Sequence, residues 1–254
     1  MSRSLCVCVL LLTATLDGLA QGRGAARGGP PSTARSAAAF DMTGYWVSIV
    51  AEDWRWRMFP TKGDYGGIPL NAEARKIADA WDPAKDEAAG EQCKAYGAPN
   101  IMRIPGRLHI TWQDDQTLKI DTDAGKQTRL FHFASTPAAG ADLQGISKAD
   151  WELVRPGLGF AIAGDRGGSQ GGSLKVTTTN LRAGYLRRNG IPNSSSVKLT
   201  EYYDLVKQPN GDTYLVLTST VEDPTYLTQP LITAVHFKKQ ADAAGWSPAP
   251  CAVR

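Results

Sequence analysis

The chain of 254 residues is predicted to be mainly β, an antiparallel β-barrel or barrel-like sandwich with one short helical segment. Apolar and polar residues alternate with a period of two in roughly eight or nine segments, as in strands with one buried face. Asn210-Gly211 lies between two β-branched runs, which is the strongest short-range signal of a hairpin. Only residues 72–81 combine good helix formers with an apolar stripe.

The chain is predicted to have three parts. Residues 1–20 combine Arg3, an apolar stretch and small residues, which indicates a secretory signal peptide cleaved near Ala20 and a periplasmic or secreted protein. Residues 21–39 are rich in Gly, Ala, Pro and Arg and are predicted to be a disordered linker. Residues 40–254 are predicted to form a single β-barrel domain, without a transmembrane span in the mature chain.

The formal net charge of +3 comes from the linker, whose three arginines face no acid: Arg23, Arg27 and Arg35. The signal segment is neutral, so residues 40–254 have no formal net charge. A nucleic-acid-binding protein carries a basic stripe on its folded part. The sequence has no such stripe, and nucleic acid is therefore discounted as a partner.

Two cysteines, Cys93 and Cys251, remain after removal of the signal segment. In an exported chain they are predicted to form a disulfide. In the chain-entropy model such a bridge contributes about 4–5 kcal/mol, because the loop it closes is longer than about 100 residues. The bridge would hold the C-terminal tail against the helical segment.

The helical segment has clear limits. Asn71 is the predicted N-cap, and Asp82-Pro83 ends the helix and caps a shorter helical turn that runs to Ala89. Ala74, Ile77, Ala78 and Trp81 form its apolar stripe. We expect this helix to lie across the sheet or over an open barrel mouth.

Residues 105–133 are predicted to form three consecutive antiparallel strands. The favoured register buries Phe131 and Phe133 rather than His132, and each buried phenylalanine contributes roughly 2–3 kcal/mol. One face of the sheet then carries six polar side chains: Arg107, His109, Lys119, Asp121, Thr128 and His132. This face is either the solvated outside of the sheet or a polar wall inside a barrel, where a carboxylate beside two imidazoles can perform acid–base chemistry.

Other segments carry weaker patterns. Trp54 and Trp56 alternate with charged residues, which predicts a strand with either core tryptophans or an aromatic wall that stacks on a ligand. Residues 181–196 are predicted to be an exposed loop, and residues 135–172 an irregular insert. The glycines at 164–172 indicate a mobile loop, because no phosphate-binding motif accompanies them.

The tripeptide Gly44-Tyr45-Trp46 resembles the Gly-x-Trp start of the first strand in lipocalin-like barrels, where a tryptophan closes one end. With the strand order and the closing strand, the chain resembles exported bacterial proteins that have a lipocalin-like (calycin) β-barrel. The resemblance implies a fold and no particular activity. The insert at 135–172 and the helix near the front depart from the usual lipocalin pattern.

Three functions are compatible with this sequence. The first is an exported barrel that binds a small apolar or aromatic ligand in its cavity, anchored by Arg57. Its walls would come from five aromatic side chains and one histidine: Trp54, Trp56, Trp112, His132, Tyr202 and Tyr203. Another possibility, the third, is a structural or interaction protein of the cell envelope, which would be favoured if side chains filled the barrel cavity.

The second function is a cofactor-independent lyase, isomerase or hydrolase. His109 would be the general base, Asp121 would orient it, and Glu201 or Tyr203 would be the acid. A variant of this hypothesis places a metal ion on the three histidines, His109, His132 and His236. Their spacing matches no metal motif, so neither a metal nor another cofactor is predicted.

Overall fold

The computed structural model describes residues 33–58, 60–138, 140–153 and 171–253. The predicted signal peptide and most of the predicted linker therefore lie outside the described residues, as does most of the glycine-rich segment at 164–172. Within the described ranges, no helix has the length and apolar character needed to cross a membrane.

Strands dominate the described residues. They are β1 (Gly44–Ile49), β2 (Arg107–Asp114), β3 (Thr117–Thr122), β4 (Ala124–Gly125), β5 (Thr128–His132), β6 (Ile146–Leu153), β7 (Gly172–Thr179), β8 (Gly184–Arg187), β9 (Ile191–Asn193), β10 (Lys198–Lys207), β11 (Thr213–Glu222), β12 (Leu231–Lys239) and β13 (Ala249–Pro250).

Nine of these strands close into a barrel in the order β1, β12, β11, β10, β7, β6, β5, β3 and β2, with β2 pairing back to β1. The predicted mainly β barrel is confirmed. The predicted antiparallel arrangement is not confirmed throughout: the barrel is mixed, because β5 and β6 run parallel. The chain after β5 returns to the end of the barrel where β5 began before it enters β6, so the two strands point the same way.

The helices are α1 (Trp54–Met58), α2 (Ala72–Ala80), α3 (Pro83–Ala88) and α4 (Ala98–Ile101), and a 3₁₀ turn spans Lys94–Tyr96. The predicted caps are confirmed, since the Asn71 side chain accepts from the Ala74 amide at 2.9 Å and Asp82 accepts from the Ala84 amide at 3.0 Å. The prediction of a single short helical segment is incomplete, because α1 and α4 are additional helices.

Helix α1 replaces the strand predicted around Trp54 and Trp56. Asp53 has a left-handed backbone with φ of +50°, and its carbonyl accepts from the amides of Trp56 and Arg57, which starts a helical turn. The Arg57 side chain turns inward and donates to the Ile49 carbonyl at 2.9 Å. The alternation of aromatic and charged residues was therefore misleading, because a backbone turn and a buried arginine set the local conformation.

The segment predicted to be an exposed loop, 181–196, contains β8 and β9 and is largely buried. Its polar residues bond to neighbouring backbone: Asn189 Nδ2 donates to the carbonyls of Thr61 and Asp64, both at 2.9 Å. Gly190 has φ of +83°, and a Cβ there would lie 2.1 Å from Trp81. Strand β6 was likewise missed within the insert predicted to be irregular.

The two ends of the barrel differ. At the capped end, the helices lie in the connection from β1 to β2, and the β8–β9 sheet lies in the connection from β7 to β10. A second hydrophobic cluster in this region includes Ile68, Leu186 and Val221. At the hairpin end, residues 33–43 lie beside the β2–β3 turn, where the Arg35 amide donates to the Asp115 carbonyl at 3.1 Å. The predicted position of α2, over a barrel mouth, agrees with this arrangement.

Close packing fills the barrel interior. The inward side chains form one hydrophobic cluster with residues from the cap, including Trp46, Ile110, Leu118, Phe131, Tyr203 and Phe237. Leu118 lies opposite Phe131, so the predicted register is confirmed. Trp46 of the Gly-x-Trp tripeptide is fully buried, and its indole nitrogen donates to the Met42 carbonyl at 2.9 Å.

Cys93 and Cys251 form the predicted disulfide across 158 residues of sequence. Strand β13, which precedes Cys251, pairs in parallel with β4. Gly125 of β4 packs under the Tyr96 ring, where a Cβ would lie 2.3 Å from the aromatic carbon. The bridge therefore joins the cap to the C-terminal tail at the edge of the barrel.

We expect the paired change Cys93→Ser and Cys251→Ser to lower the free energy of unfolding by up to about 4–5 kcal/mol, because the open chain gains conformational entropy. The measurement is chemical denaturation of both proteins with and without a reductant. Reductant should destabilise the parent protein and leave the double variant unchanged. Equal midpoints for oxidised parent and double variant would contradict the expectation.

Candidate functional site

The polar face formed by β2, β3 and β5 lies on the outside of the barrel. His109 stacks on Tyr45 with ring centroids 4.2 Å apart, and Trp246 of the C-terminal tail lies edge-on at 6.1 Å. Asp121 pairs with Lys119 at 2.8 Å and accepts from the Thr128 hydroxyl at 2.6 Å. Of the two arrangements considered for this face, the structure shows the outside of the sheet, which the C-terminal tail partly covers.

Glu201 and Tyr203 point the opposite way, into the packed interior. Glu201 accepts two hydrogen bonds from Arg129, at 2.8 and 2.6 Å, and one from the Tyr203 hydroxyl at 3.2 Å. Arg129 also donates to Thr178 at 3.2 Å, which bonds to Ser147 at 2.8 Å. The structure therefore does not bring the four predicted catalytic residues together: the wall of the barrel separates His109 and Asp121 from Glu201 and Tyr203.

The interior group formed by Arg129, Glu201 and Tyr203 is fully buried. Burial lowers the pKa of Arg129, but the Glu201 carboxylate raises it, and the net shift is upward. Burial also raises the pKa of Tyr203 well above its ordinary value. Arg129 and Glu201 are 0% and 1% exposed in their side chains. The group is thus a buried Arg129–Glu201 ion pair beside a neutral tyrosine, out of reach of solvent.

A recessed cleft of about 150 Å³, which we call the arginine cleft, lies at the capped end. Three polypeptide segments meet there: the connection from β1 to β2, strand β8 and the start of β12. The cleft is lined by Asp53, Trp56, Gly66, Gly67, Ile68, Arg103, Leu186, Arg187, Leu231, Ile232 and Thr233.

Backbone carbonyls and one carboxylate hold the arginines of this region in place. Arg187 donates to the carbonyls of Asp64 and Gly66 at 3.3 and 3.1 Å, and its guanidinium lies 5.2 Å from the centre of the Trp56 ring. Arg103 Nη2 donates to Asp53 at 2.9 Å.

Arg57 lies behind the cleft and donates through Nε to the Arg103 carbonyl at 2.9 Å. Burial and the positive charge of Arg103 lower the pKa of Arg57 to about 10, and the same two causes lower the pKa of Arg187 to about 10. Two buried guanidinium nitrogens, Nη1 of Arg103 and Nη2 of Arg57, find no hydrogen-bond partner among the described residues. The region therefore carries more positive charge and more donors than its own acceptors satisfy.

The predicted ligand-binding residues are scattered over the molecule. Trp56 lines the arginine cleft and Arg57 supports it, whereas Trp54 is 59% exposed on α1. Trp112 belongs to a row of aromatic rings at the hairpin end, 5.6 Å from Phe133. The remaining predicted residues are also apart. His132 lies on the outer face of β5, Tyr202 lies on the outer face of β10 beside Lys175, and Tyr203 lies in the interior.

A second, larger cleft of about 760 Å³ lies beside the disulfide. It is open, and its charged lining residues are the acids Asp82 and Glu87. The arginine cleft is smaller but recessed, and it combines an aromatic ring, aliphatic side chains and unpaired donors. Small-molecule sites combine apolar walls with convergent polar groups, and in this cleft polar atoms form the larger part of the lining.

Arg103, Arg187 and Arg129 were missed by the sequence-based prediction. Arg129 had a detectable signal, because the period of two places it on the same face as Phe131. Glu201 carries the same signal, since it lies two residues from both Leu199 and Tyr203 and therefore shares their buried face. Arg103 and Arg187 lie in connections without period, so no local pattern identified them.

Comparison with models of protein families, with curated proteins and with solved structures found no match. In the part of the chain that the structure describes, His, Cys, Asp and Glu side chains form no group of three or more suited to a metal ion. His236 instead pairs with Glu52 at 2.5 Å.

We expect Glu201→Gln to lower the free energy of unfolding by about 3–5 kcal/mol, because it leaves the buried Arg129 charge without its counterion. Asp121→Asn, a matched change on the outer face, should cost less than about 1 kcal/mol. The measurement is urea denaturation followed by circular dichroism. The double change Arg129→Met and Glu201→Leu should recover most of the loss. Similar effects for Glu201→Gln and Asp121→Asn would show that the interior pair has no special role.

Proposed function

We propose that this chain is an exported binding protein that holds a small, largely apolar or aromatic ligand at the arginine cleft. The observation that carries the proposal is the contrast between a barrel interior packed with its own side chains and a recessed, partly aromatic cleft at the capped end. Ligand sites are concave, mostly apolar and supplied with a few convergent polar groups.

The lining favours a ligand with a flat apolar part. One side of the cleft is the Trp56 ring, held by the Arg187 guanidinium at 5.2 Å, and aliphatic side chains complete the wall: Ile68, Leu186, Leu231 and Ile232. Ile232 is 67% exposed although it is a large apolar residue, so a ligand in the cleft would gain contact area from it. A space of about 150 Å³ is large enough for one aromatic ring.

Export is supported by two independent features. The amino-terminal sequence has the composition of a secretory signal peptide, and Cys93–Cys251 is a disulfide of the kind that persists in oxidising compartments. The Gly44-Tyr45-Trp46 resemblance to exported lipocalin-like barrels agrees with this proposal, as Trp46 closes the interior at the hairpin end.

Binding is favoured over catalysis by the placement of the candidate acid–base residues. His109 and Asp121 lie on the outer wall, and Glu201 and Tyr203 lie in the sealed interior. General acid–base catalysis requires groups within hydrogen-bond reach of one substrate. A substrate cannot contact both pairs through the wall of the barrel.

We expect single-ring aromatic compounds to bind the parent protein and Trp56→Leu to weaken that binding about 5- to 100-fold, as for the loss of about 1–3 kcal/mol of aromatic contact. Trp54→Leu is the matched control, because Trp54 is an exposed tryptophan of the same helix. Binding is measured by calorimetric titration of the parent and both variants. The proposal would be wrong if no compound bound more tightly than millimolar, or if the two changes had equal effects.

A further inference from the structure

We infer that the polar group of the ligand is a small oxyanion, a carboxylate or a phosphate, bound by Arg103 and Arg187 in the arginine cleft. The inference rests on the proposed function, because it assigns the chemistry of the other half of the same ligand.

The first argument comes from hydrogen bonding. Arg103 Nη1 and Arg57 Nη2 are buried and have no acceptor among the described residues, although their neighbouring nitrogens are bonded. Buried polar groups in folded proteins are almost always paired, and an unpaired donor on a charged group is especially costly. Arg103 lines the cleft, so an acceptor placed there by a ligand would lie beside its guanidinium group.

The second argument comes from charge. Arg103 lies close enough to Arg57 and Arg187 to lower the pKa of both, after the larger effect of burial. The acids nearby oppose this repulsion only in part: Glu52 and Asp53 act on Arg57, and Asp53 and Asp64 act on Arg187, yet the pKa of both arginines stays lowered. An anion between the guanidinium groups would offset the repulsion, so binding should also raise the melting temperature.

The third argument comes from geometry. A guanidinium presents a planar fork of donors that matches the paired oxygens of a carboxylate or a phosphate. Arg187 is fixed by two backbone carbonyls and by the Trp56 ring, and is 5% exposed, so it is ordered before any ligand arrives. The same ring forms the apolar wall of the cleft, which places the anionic and aromatic parts of one ligand side by side.

The test uses the full mature chain and three probes: sodium benzoate, neutral benzamide and inorganic phosphate. Calorimetry and thermal unfolding report binding of each. Benzoate should bind at least about tenfold more tightly than benzamide, because only benzoate offers a negative charge on two oxygens that can pair with a guanidinium group. A preference of the protein for phosphate over benzoate would identify a phosphoryl group rather than a carboxylate as the ligand's anion.

Two substitutions separate recognition of the anion from folding. Arg103→Gln should weaken benzoate binding about 10- to 100-fold and change benzamide binding little, whereas Arg182→Gln, an exposed arginine paired with Glu91, should change neither. Asp53→Asn removes the carboxylate that competes for Arg103 and should strengthen benzoate binding. A purely structural role of Arg103 or Asp53 would not produce opposite effects on one anion.

The outcomes are distinguishable. Equal affinity for benzamide and benzoate, with Arg103→Gln neutral, would overturn the oxyanion inference and leave the proposed binding function standing. Phosphate binding that depends on Arg103, without any gain from an aromatic ring, would support the oxyanion site and contradict the proposed aromatic ligand. No binding of any probe would overturn both.

Discussion

Closure of the sheet is the constraint on which the rest of the molecule depends. Because β1 pairs with both β2 and β12, the barrel has no free edge, and every second residue of nine strands must point into one enclosed space. That space is filled by large apolar side chains such as Trp46, Phe131 and Phe237. The rigid wall also positions the loops of the capped end, where side chains from separate connections line the arginine cleft.

The exception to the apolar interior is the Arg129–Glu201 pair, and its position explains why it is tolerated. The two charges bond to each other and to Thr178 and Tyr203, which offsets part of the desolvation cost. Arg129 resembles Arg57 and Arg103 of the cap in keeping one buried guanidinium nitrogen without a partner among the described residues. The groups differ in access, because Arg129 is enclosed in the interior whereas Arg103 lines a cleft.

The sequence predicted the features that depend on local periodicity and on strong end signals. The β10–β11 hairpin, the register of β3 and β5, the cap at Asn71 and the disulfide were all accessible in this way. Helix α1 and the buried segment at 181–196 were not, because long-range contacts of Arg57 and Asn189 override the local pattern. The arginine cleft was inaccessible for the same reason: Trp56 and Arg103 lie far apart in the connection from β1 to β2, Arg187 lies in β8, and the three converge only after folding.

The pairing of β1 with β12 has a consequence for biogenesis. The first barrel strand cannot pair with β12 until Lys239 has been synthesised, since Trp46 lies opposite Lys239. The disulfide requires a still longer chain, because Cys93 must meet Cys251, which follows β12 in the sequence. Such non-local contacts make folding slow and leave partly finished strands exposed. Closure of the sheet and formation of the disulfide therefore both depend on the last segments of the barrel domain, β12 and the tail that carries Cys251.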